Sequence, residues 1–379
     1  MTDHWETLLR RPSFHLRRRG RFVVADLLEP HRVLSTSTRN GGQSDGLRHL
    51  LNHQSCEGAG HGERHATIMA NGYEAYHDSV CGEVGISPAL TATMGTAANM
   101  NYVAVVSEVD GDVEVTAVIT AGVESNATCA GDPATWRENA SGVEKIPAVA
   151  GTINIMLLVG VPLTAAALAR AVVTMTEGKS AALQRLAVPS RQSADLATGT
   201  GTDQYCVAAP LRTEGARTST SPHVKLGELI GLATRRATQE ALRWQNGLEP
   251  SYTRGVFHAL GRYGVIEKTF FEDVAPFVDA ADLELLQRNS KAALYEPLVG
   301  AAAHAFAAVL DRVRHGTIPG SVEREASVQQ AALLAASVAA QPERWPDFRT
   351  ELHALGNVDS KTLAIAALAF GWRAKWRSL

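Results

Sequence analysis

The sequence predicts an α+β protein: a mixed β-sheet domain with flanking helices at residues 1–247, followed by an all-α domain at 248–379. Three observations carry this. Short β-branched runs alternate through the first two-thirds of the chain, and a charge-free stretch in its middle is punctuated by Gly and Pro. The last third is alanine-rich, with helical apolar spacing and little β-branched alternation. With 379 residues, 45% hydrophobic and 20% charged, the chain can bury one large core or two moderate ones, and two domains are expected.

The basic segment "RRPSFHLRRRGR" at 10–21 reads as a solvated arm before the first strand. "RFVVAD" (21–26) and "RVLSTS" (32–37) are short β-type runs, whereas "SDGLRHLLNH" (44–53) has helical apolar spacing. "NYVAVVSEVDGDVEVTAVITAG" (101–122) holds two alternating runs around Asp110 and Gly111, a hairpin signal. "TAGVESNATCAGDP" (120–133) therefore begins where the second hairpin strand ends. Residues 146–169 carry no charge over a length that satisfies a bilayer count. Gly151, Asn154, Gly160 and Pro162 divide that stretch into a buried strand (152–159), a turn at Gly160 and Val161, and a helix opened by Pro162 and running to Glu177. No membrane span is expected. A second long helix at 223–245 stops at Asn246 and Gly247.

A net charge of −3 and a pI near 6.5 leave no bulk positive field, so no nucleic-acid partner or anionic membrane surface is expected. The four cysteines, at 56, 81, 129 and 206, form no C-x-x-C pair, which argues against a zinc knuckle or a disulfide frame. Arg and His interrupt every apolar run near the N-terminus, so a secretory leader is not indicated and a cytoplasmic location is expected.

Four Gly- and polar-rich patches fall at the ends of predicted elements: "STSTRNGG" (35–42), "TAGVESNATCAGD" (120–132), "TEGK" (176–179) and "ATGTGTD" (197–203). Loops on a rigid scaffold are where binding groups are usually presented, so one shared site is expected. "GTGTD" offers unobstructed backbone N–H groups to an oxyanion or polar substrate edge, followed by the Thr202 hydroxyl and the Asp203 carboxylate; a tight turn accounts for the segment equally well. It is neither a Walker loop nor a dinucleotide fingerprint. Glu177 and Lys179 are expected at a helix end, where the dipole suits Lys179 and not Glu177. Asn126 is placed to hold a ligand carbonyl or amide, and Asn154, inside an apolar strand, requires a backbone or ligand partner. Cys129 reads as structural. "HLLNHQSCEGAGHGERH" sets His49 and His53 four apart, then His61 and His65 four apart; such pairs on a helix can share a metal, although surface histidines are the default. His223, opening the second long helix, is a candidate acid, base or ligand to a cofactor metal.

Taken in order, "STSTRNGG", "TAGVESNATCAGD", "GTINIMLLV", "TEGKSAALQ", "ATGTGTD" and "SPHVKLGELIG" resemble the adenosylcobinamide amidohydrolase family of corrinoid salvage, over residues 30–245. The resemblance implies a small-molecule corrinoid substrate, its cobalt included, and hydrolysis of the amide joining the aminopropanol arm to the corrin ring. Adenosylcobyric acid and 1-amino-2-propanol are then the products. On that chemistry Asp203 or Glu177 is the base, the backbone amides of Gly199, Thr200 and Gly201 with Asn126 stabilise the oxyanion, and Lys179 or His223 delivers a proton. Asn40, Gly41, Gly42, Asn154, Thr198 and Thr202 join the expected substrate site. The resemblance implies no cofactor firmly. A divalent metal held by the histidines at 49–65 belongs to an alternative in which the scaffold hydrolyses another amide. A further alternative is a non-catalytic corrinoid or tetrapyrrole carrier with a His on the metal. The helical region, outside the resemblance, reads as a lid, a homodimer surface or a packed appendage.

Overall fold

The computed structural model describes residues 4–55, 61–134, 136–139, 142–145 and 151–375. Two compact units emerge: Met1–Gln192 with Leu196–Leu248, and Ser193–Asp195 with Glu249–Leu379.

The first unit opens with β1 (Glu6–Arg10), β2 (Phe14–Arg19), β3 (Phe22–Leu27), β4 (His31–Ser35), β5 (Gly42–Ser44) and β6 (His49–Gln54). Helix α1 (His61–Val84) follows, interrupted at Gly72, and leads to β7 (Thr91–Thr96), β8 (Ala104–Asp110) and β9 (Val113–Ala121). Short ladder strands β10 (Ala127–Thr128), β11 (Trp136–Asn139) and β12 (Gly142–Lys145) precede β13 (Ile153–Val159) and α2 (Ala165–Arg185). The unit closes with β14 (Gly199–Thr200), β15 (Gln204–Pro210) and α3 (Lys225–Asn246). One sheet runs β1-β2-β3-β6-β7 and the other β5-β4-β15-β13-β9-β8. Within them β6–β7 and β13–β15 are parallel, so both sheets are mixed.

Side-chain alternation along β13 explains the layering. Ile153, Ile155, Leu157 and Val159 face α2 and α3, packing with Leu168, Met175, Leu229 and Ile230. Met156 and Leu158 face the other way, against Phe14, Leu16, Val23 and Leu50 of the first sheet. On that sheet's outer surface Phe22, Val24 and Leu51 meet Val80, Cys81 and Val84 of α1. The result is a four-layered unit, with α1, two sheets, and then α2 and α3. A strand covered on both sides reads as a continuous apolar run, as β13 does.

The expected hairpin at 101–122 is present, with Asp110 opposite Val113, and α3 ends at a left-handed Gly247. Three expectations are corrected. The basic arm is instead strands β1 and β2: Phe14 and Leu16 are buried while Arg17 points outward to Asp26 and stacks over Trp5. The stretch 44–53 is not helical; its Leu50 and Leu51 point to opposite faces of β6, each into a different core, so a strand buried on both sides mimics helical spacing. Helix α2 starts after Pro162, with Thr164 as its cap (Oγ1 accepting from Ala167 N at 3.2 Å), and it continues past Glu177 to Arg185. Among the described residues no single helix is long and apolar enough to cross a membrane.

The second unit is helical: α4 (Pro250–Thr253), α5 (Val256–Leu260), α6 (Phe270–Val274), α7 (Ala280–Leu294), α8 (Pro297–Arg314), α9 (Glu323–Ala339), α10 (Trp345–His353) and α11 (Ser360–Ala374). Phe270, Phe306, Phe348 and Trp372 fill its core, and the Trp372 indole donates to Asp282 O at 3.0 Å. Arg262 chelates Asp311, which also accepts the Tyr263 hydroxyl at 2.6 Å. Burial pushes the Tyr263 hydroxyl up to about 12. Burial alone would raise the Asp311 carboxyl, but hydrogen bonds from Arg262 and Tyr263 outweigh it and hold the group below its usual range.

Candidate active site

Three of the four patches converge at one end of the second sheet. The two-residue ladder β10–β14 sets Ala127 opposite Thr200 and joins the loop after β9 to "GTGTD". Asp203, just before β15, is the hub of the cluster. Its Oδ1 accepts from Ile153 N (3.0 Å) and Thr200 Oγ1 (2.6 Å), and its Oδ2 accepts from Thr200 N (3.2 Å) and from Lys179 Nζ. Lys179 is buried in mid-helix beneath Gly199, where an added Cβ would stand 2.5 Å from Asp203 Oδ2 and 2.7 Å from Lys179 Nζ. Only glycine lets the chain pass this closely over the ion pair.

Asn126 donates through Nδ2 to Gly151 O (2.9 Å) and Thr202 Oγ1 (3.4 Å), and its own carbonyl accepts from Gly201 N at 3.3 Å. The exposed Thr202 hydroxyl sits 2.5 Å from Thr152 Oγ1 and donates to Gly151 O. Thr198 is held at both ends: its Oγ1 accepts from Ala130 N (2.9 Å) and its carbonyl from Ser180 Oγ (3.0 Å). Asp132 closes its own turn, accepting from Cys129 N (2.7 Å), Thr128 Oγ1 (3.1 Å) and Ser190 Oγ (2.5 Å). The amides of Thr200 and Gly201, expected to face an oxyanion, already donate to Asp203 Oδ2 and to the Asn126 backbone carbonyl, and both Asp203 oxygens are occupied.

Glu177 and Lys179 do not end α2, as expected from their spacing. Two residues turn a helix by about 200°, so Glu177 is on the exposed face while Lys179 is buried. His223 does not reach the cluster either. It is exposed ahead of α3, whose approach is tied by Thr220 to Ala167 O (2.7 Å) and to the Thr174 hydroxyl (2.8 Å), upstream of Lys179 on α2.

"STSTRNGG" is built into the first sheet's neighbourhood instead. Asn40 Nδ2 donates to Pro88 O (2.8 Å) and Thr91 O (2.9 Å), Ser37 Oγ accepts from Thr93 N (2.9 Å), and Gly41 and Gly42 complete the turn into β5. Asn154 finds its partners between the sheets: Nδ2 donates to Asn52 Oδ1 (2.9 Å) and Gly95 O (3.1 Å), and Asn52 donates to Thr120 Oγ1 (2.8 Å). Its Oδ1 is buried with no partner among the described residues.

The metal expectation at 49–65 is corrected in part. His49 and His53 lie on strand β6, not a helix, so four residues separate them by about 13 Å, beyond reach of one ion. His49 instead pairs with Asp26 (2.8 Å) and His53 Nε2 lies 3.1 Å from the Tyr76 hydroxyl. The side chains of His61 and His65 lie outside the described residues, as does Cys56. Among the described residues, no three His, Cys, Asp or Glu side chains are grouped as metal ligands.

A cavity of about 200 Å³ opens at the same sheet end, lined by His53, Tyr76, His77, Thr93, Gly95 and Gln204, with Thr38, Arg39, Tyr73 and Glu74 among its other walls. Gln204 directly follows Asp203 and its Oε1 accepts from Gly95 N at 2.9 Å. Tyr76, His77, Gly95 and Gln204 escaped the sequence reading. The available signal was "YEAYHD", where Tyr73, Tyr76 and His77 share a helix face by their spacing.

An uncharacterized protein of Methanocaldococcus jannaschii, MJ1613, is 35% identical over 192 residues, spanning 47% of this chain and 72% of the relative. The family described as adenosylcobinamide amidohydrolase (CbiZ) matches residues 6–250, which takes in the whole Lys179–Asp203 cluster and the cavity. The chain belongs to the adenosylcobinamide amidohydrolase family.

Proposed function

We propose that this protein hydrolyses the amide linking the aminopropanol arm to the corrin ring of adenosylcobinamide, giving adenosylcobyric acid and 1-amino-2-propanol. The observation that carries the reading is the cavity on the inter-sheet side of Gln204, the residue after Asp203: its volume of about 200 Å³ suits a side arm and its amide rather than a macrocycle. The corrin ring itself then rests outside, over exposed loop residues such as Gly201 and Thr202.

In this reading Asp203 does not abstract a proton. Its acceptor positions are filled, so it acts by fixing Lys179 and the turn at 200–203. Lys179 is neutralised by Asp203, and the pair holds the turn that leads into Gln204 on the cavity wall. The test is incubation of the purified full-length protein with adenosylcobinamide, followed by mass-resolved chromatography. Equimolar adenosylcobyric acid and 1-amino-2-propanol are expected; recovery of the corrinoid unchanged would overturn the reading.

A further inference from the structure

We infer that Gln204 binds the carbonyl oxygen of the arm's amide and stabilises the negative charge that builds on it during cleavage. The inference rests on the amide-hydrolysis reading above. Amide cleavage places charge on the carbonyl oxygen before the C–N bond breaks, and a donor already aimed at that oxygen lowers the barrier. The turn amides of Thr200 and Gly201 are spent on Asp203 and on the Asn126 carbonyl, so this donor has to come from the cavity wall.

Gln204 begins β15 and pairs in parallel register with Asn154 of β13. It has the parity of Cys206 and Ala208, which pack towards the first sheet, so its side chain is carried across to that sheet's edge strand β7. There the Gly95 peptide is gripped twice: Gly95 N donates to Gln204 Oε1 (2.9 Å), and Gly95 O accepts from Asn154 Nδ2 (3.1 Å). A backbone N–H only donates, so the amide atom facing Gly95 N is the oxygen, and Nε2 is turned away from it. Gln204 is half-buried and lines the cavity, and its Nε2 donates to no described group. An amide N–H donor of fixed direction is thereby left over on the wall. Its neighbours are committed: His77 Nδ1 lies 3.1 Å from Thr93 Oγ1 and Nε2 3.0 Å from Pro88 O, while Arg39 is paired with Asp78. Thr38 and Tyr73, also on the wall, are exposed, and no described group fixes their hydroxyls.

The step balances with water alone. The water oxygen bonds to the amide carbon, and the carbonyl electron pair moves onto oxygen, held by the Gln204 N–H. When that pair returns, the C–N bond breaks, its electrons leave on nitrogen, and the amine ends with the proton that water released. Gln204 gives up no proton; it is a hydrogen-bond donor throughout. Asn154 is a positioning residue that acts through Gly95.

Gln204→Glu separates this role from a structural one, because the carboxylate keeps an acceptor for Gly95 N and loses only the donor. Release of 1-amino-2-propanol from adenosylcobinamide is followed at pH 8 for wild type, Gln204→Glu and Gln204→Met, and adenosylcobyric acid is titrated onto each by calorimetry. Gln204→Glu is expected to lose about 100- to 1,000-fold in kcat, with a smaller change in KM. The product carries a carboxylate where the substrate had its amide, so it is expected to bind Gln204→Glu at least about tenfold more weakly than wild type through like-charge repulsion. Gln204→Met is expected to lose turnover as well, but to hold the product better than Gln204→Glu does. Turnover of Gln204→Glu near that of an active wild type, or equal weakening of the product by both variants, overturns this inference and leaves the hydrolysis reading standing; an inactive wild type overturns both. If the variants do not fold, the Gln204 side-chain N–H signals of ¹⁵N-labelled wild type, identified by their proximity to the Gly95 N–H, are expected to shift when adenosylcobyric acid is added. Signals that stay in place on a protein saturated with product overturn the inference.

Discussion

Lys179 Nζ donates to Asp203 Oδ2 directly beneath the backbone of Gly199, in a pair whose side chains are only 10% and 19% exposed. The two residues stand on different elements, and their union ties α2 to the turn before β15. Replacing Asp203 by Asn leaves a buried ammonium without its counter-charge, which costs about 3–5 kcal/mol. Lys179→Met in the same background is expected to recover part of that loss, so a double-mutant cycle by urea unfolding should give a clear coupling energy. Additive single-mutant effects would show that the pair contributes nothing as a pair.

Gly199→Ala tests the close passage. Its Cβ would fall within 3 Å of both charged atoms, so either the ion pair or the β10–β14 ladder must shift. A loss of about 1–3 kcal/mol is expected from such overpacking, together with reduced turnover. A melting temperature equal to wild type would mean the loop accommodates the methyl freely.

In the helical unit, Asp311 is held below its usual carboxylate range by Arg262 and Tyr263. With the folded value depressed, the stability this adds is fully present above the unfolded value of about 3.9 and is lost as pH falls through the folded value. The gap in urea midpoint between wild type and Asp311→Asn is therefore expected to stay level at neutral pH and to narrow in the acid range below about pH 4. A gap that does not change with acid would remove Asp311 as the titrating group.

Burial pushes the Cys81 thiol up to about 11 and the Cys206 thiol to about 12, whereas Cys129 is half-buried on the loop beside Asp132. Thiolate is the reactive form. Brief iodoacetamide treatment of the native protein at pH 8 is thus expected to label Cys129 and spare Cys81 and Cys206, read by peptide mass. Equal labelling of all three would indicate that the cores holding Cys81 and Cys206 open readily.

What the sequence disclosed depended on how local each signal was. The β8–β9 hairpin is written in alternation and an Asp-Gly turn, and the end of α3 in Asn246 and Gly247, all short-range features. Strand β6 hid because both its faces are buried, which erases period-two alternation. The extent of α2 hid because Glu-Gly-Lys resembles a helix terminus, whereas Gly178 is there for close packing: a Cβ would lie 2.8 Å from Gly231 O on α3. At the site, the residue types around Asp203 were legible from motif order, but their duties were not. That Asp203 is saturated by Lys179, Thr200 and Ile153 is settled by partners up to 50 positions away. The pairing of His53 with Tyr76, from a strand and a helix, has no sequence pattern of its own.

Strand β13 is buried at all seven of its positions, flanked by β9 and β15, and covered by α2 and α3 on one side and the first sheet on the other. Water therefore reaches its amides only when several layers come apart together, so their hydrogen exchange should proceed at the rate set by global opening. The exchange-resistant centre of the first unit and the residue that starts its polar frame, Ile153, whose N–H is taken by Asp203, are then the same element.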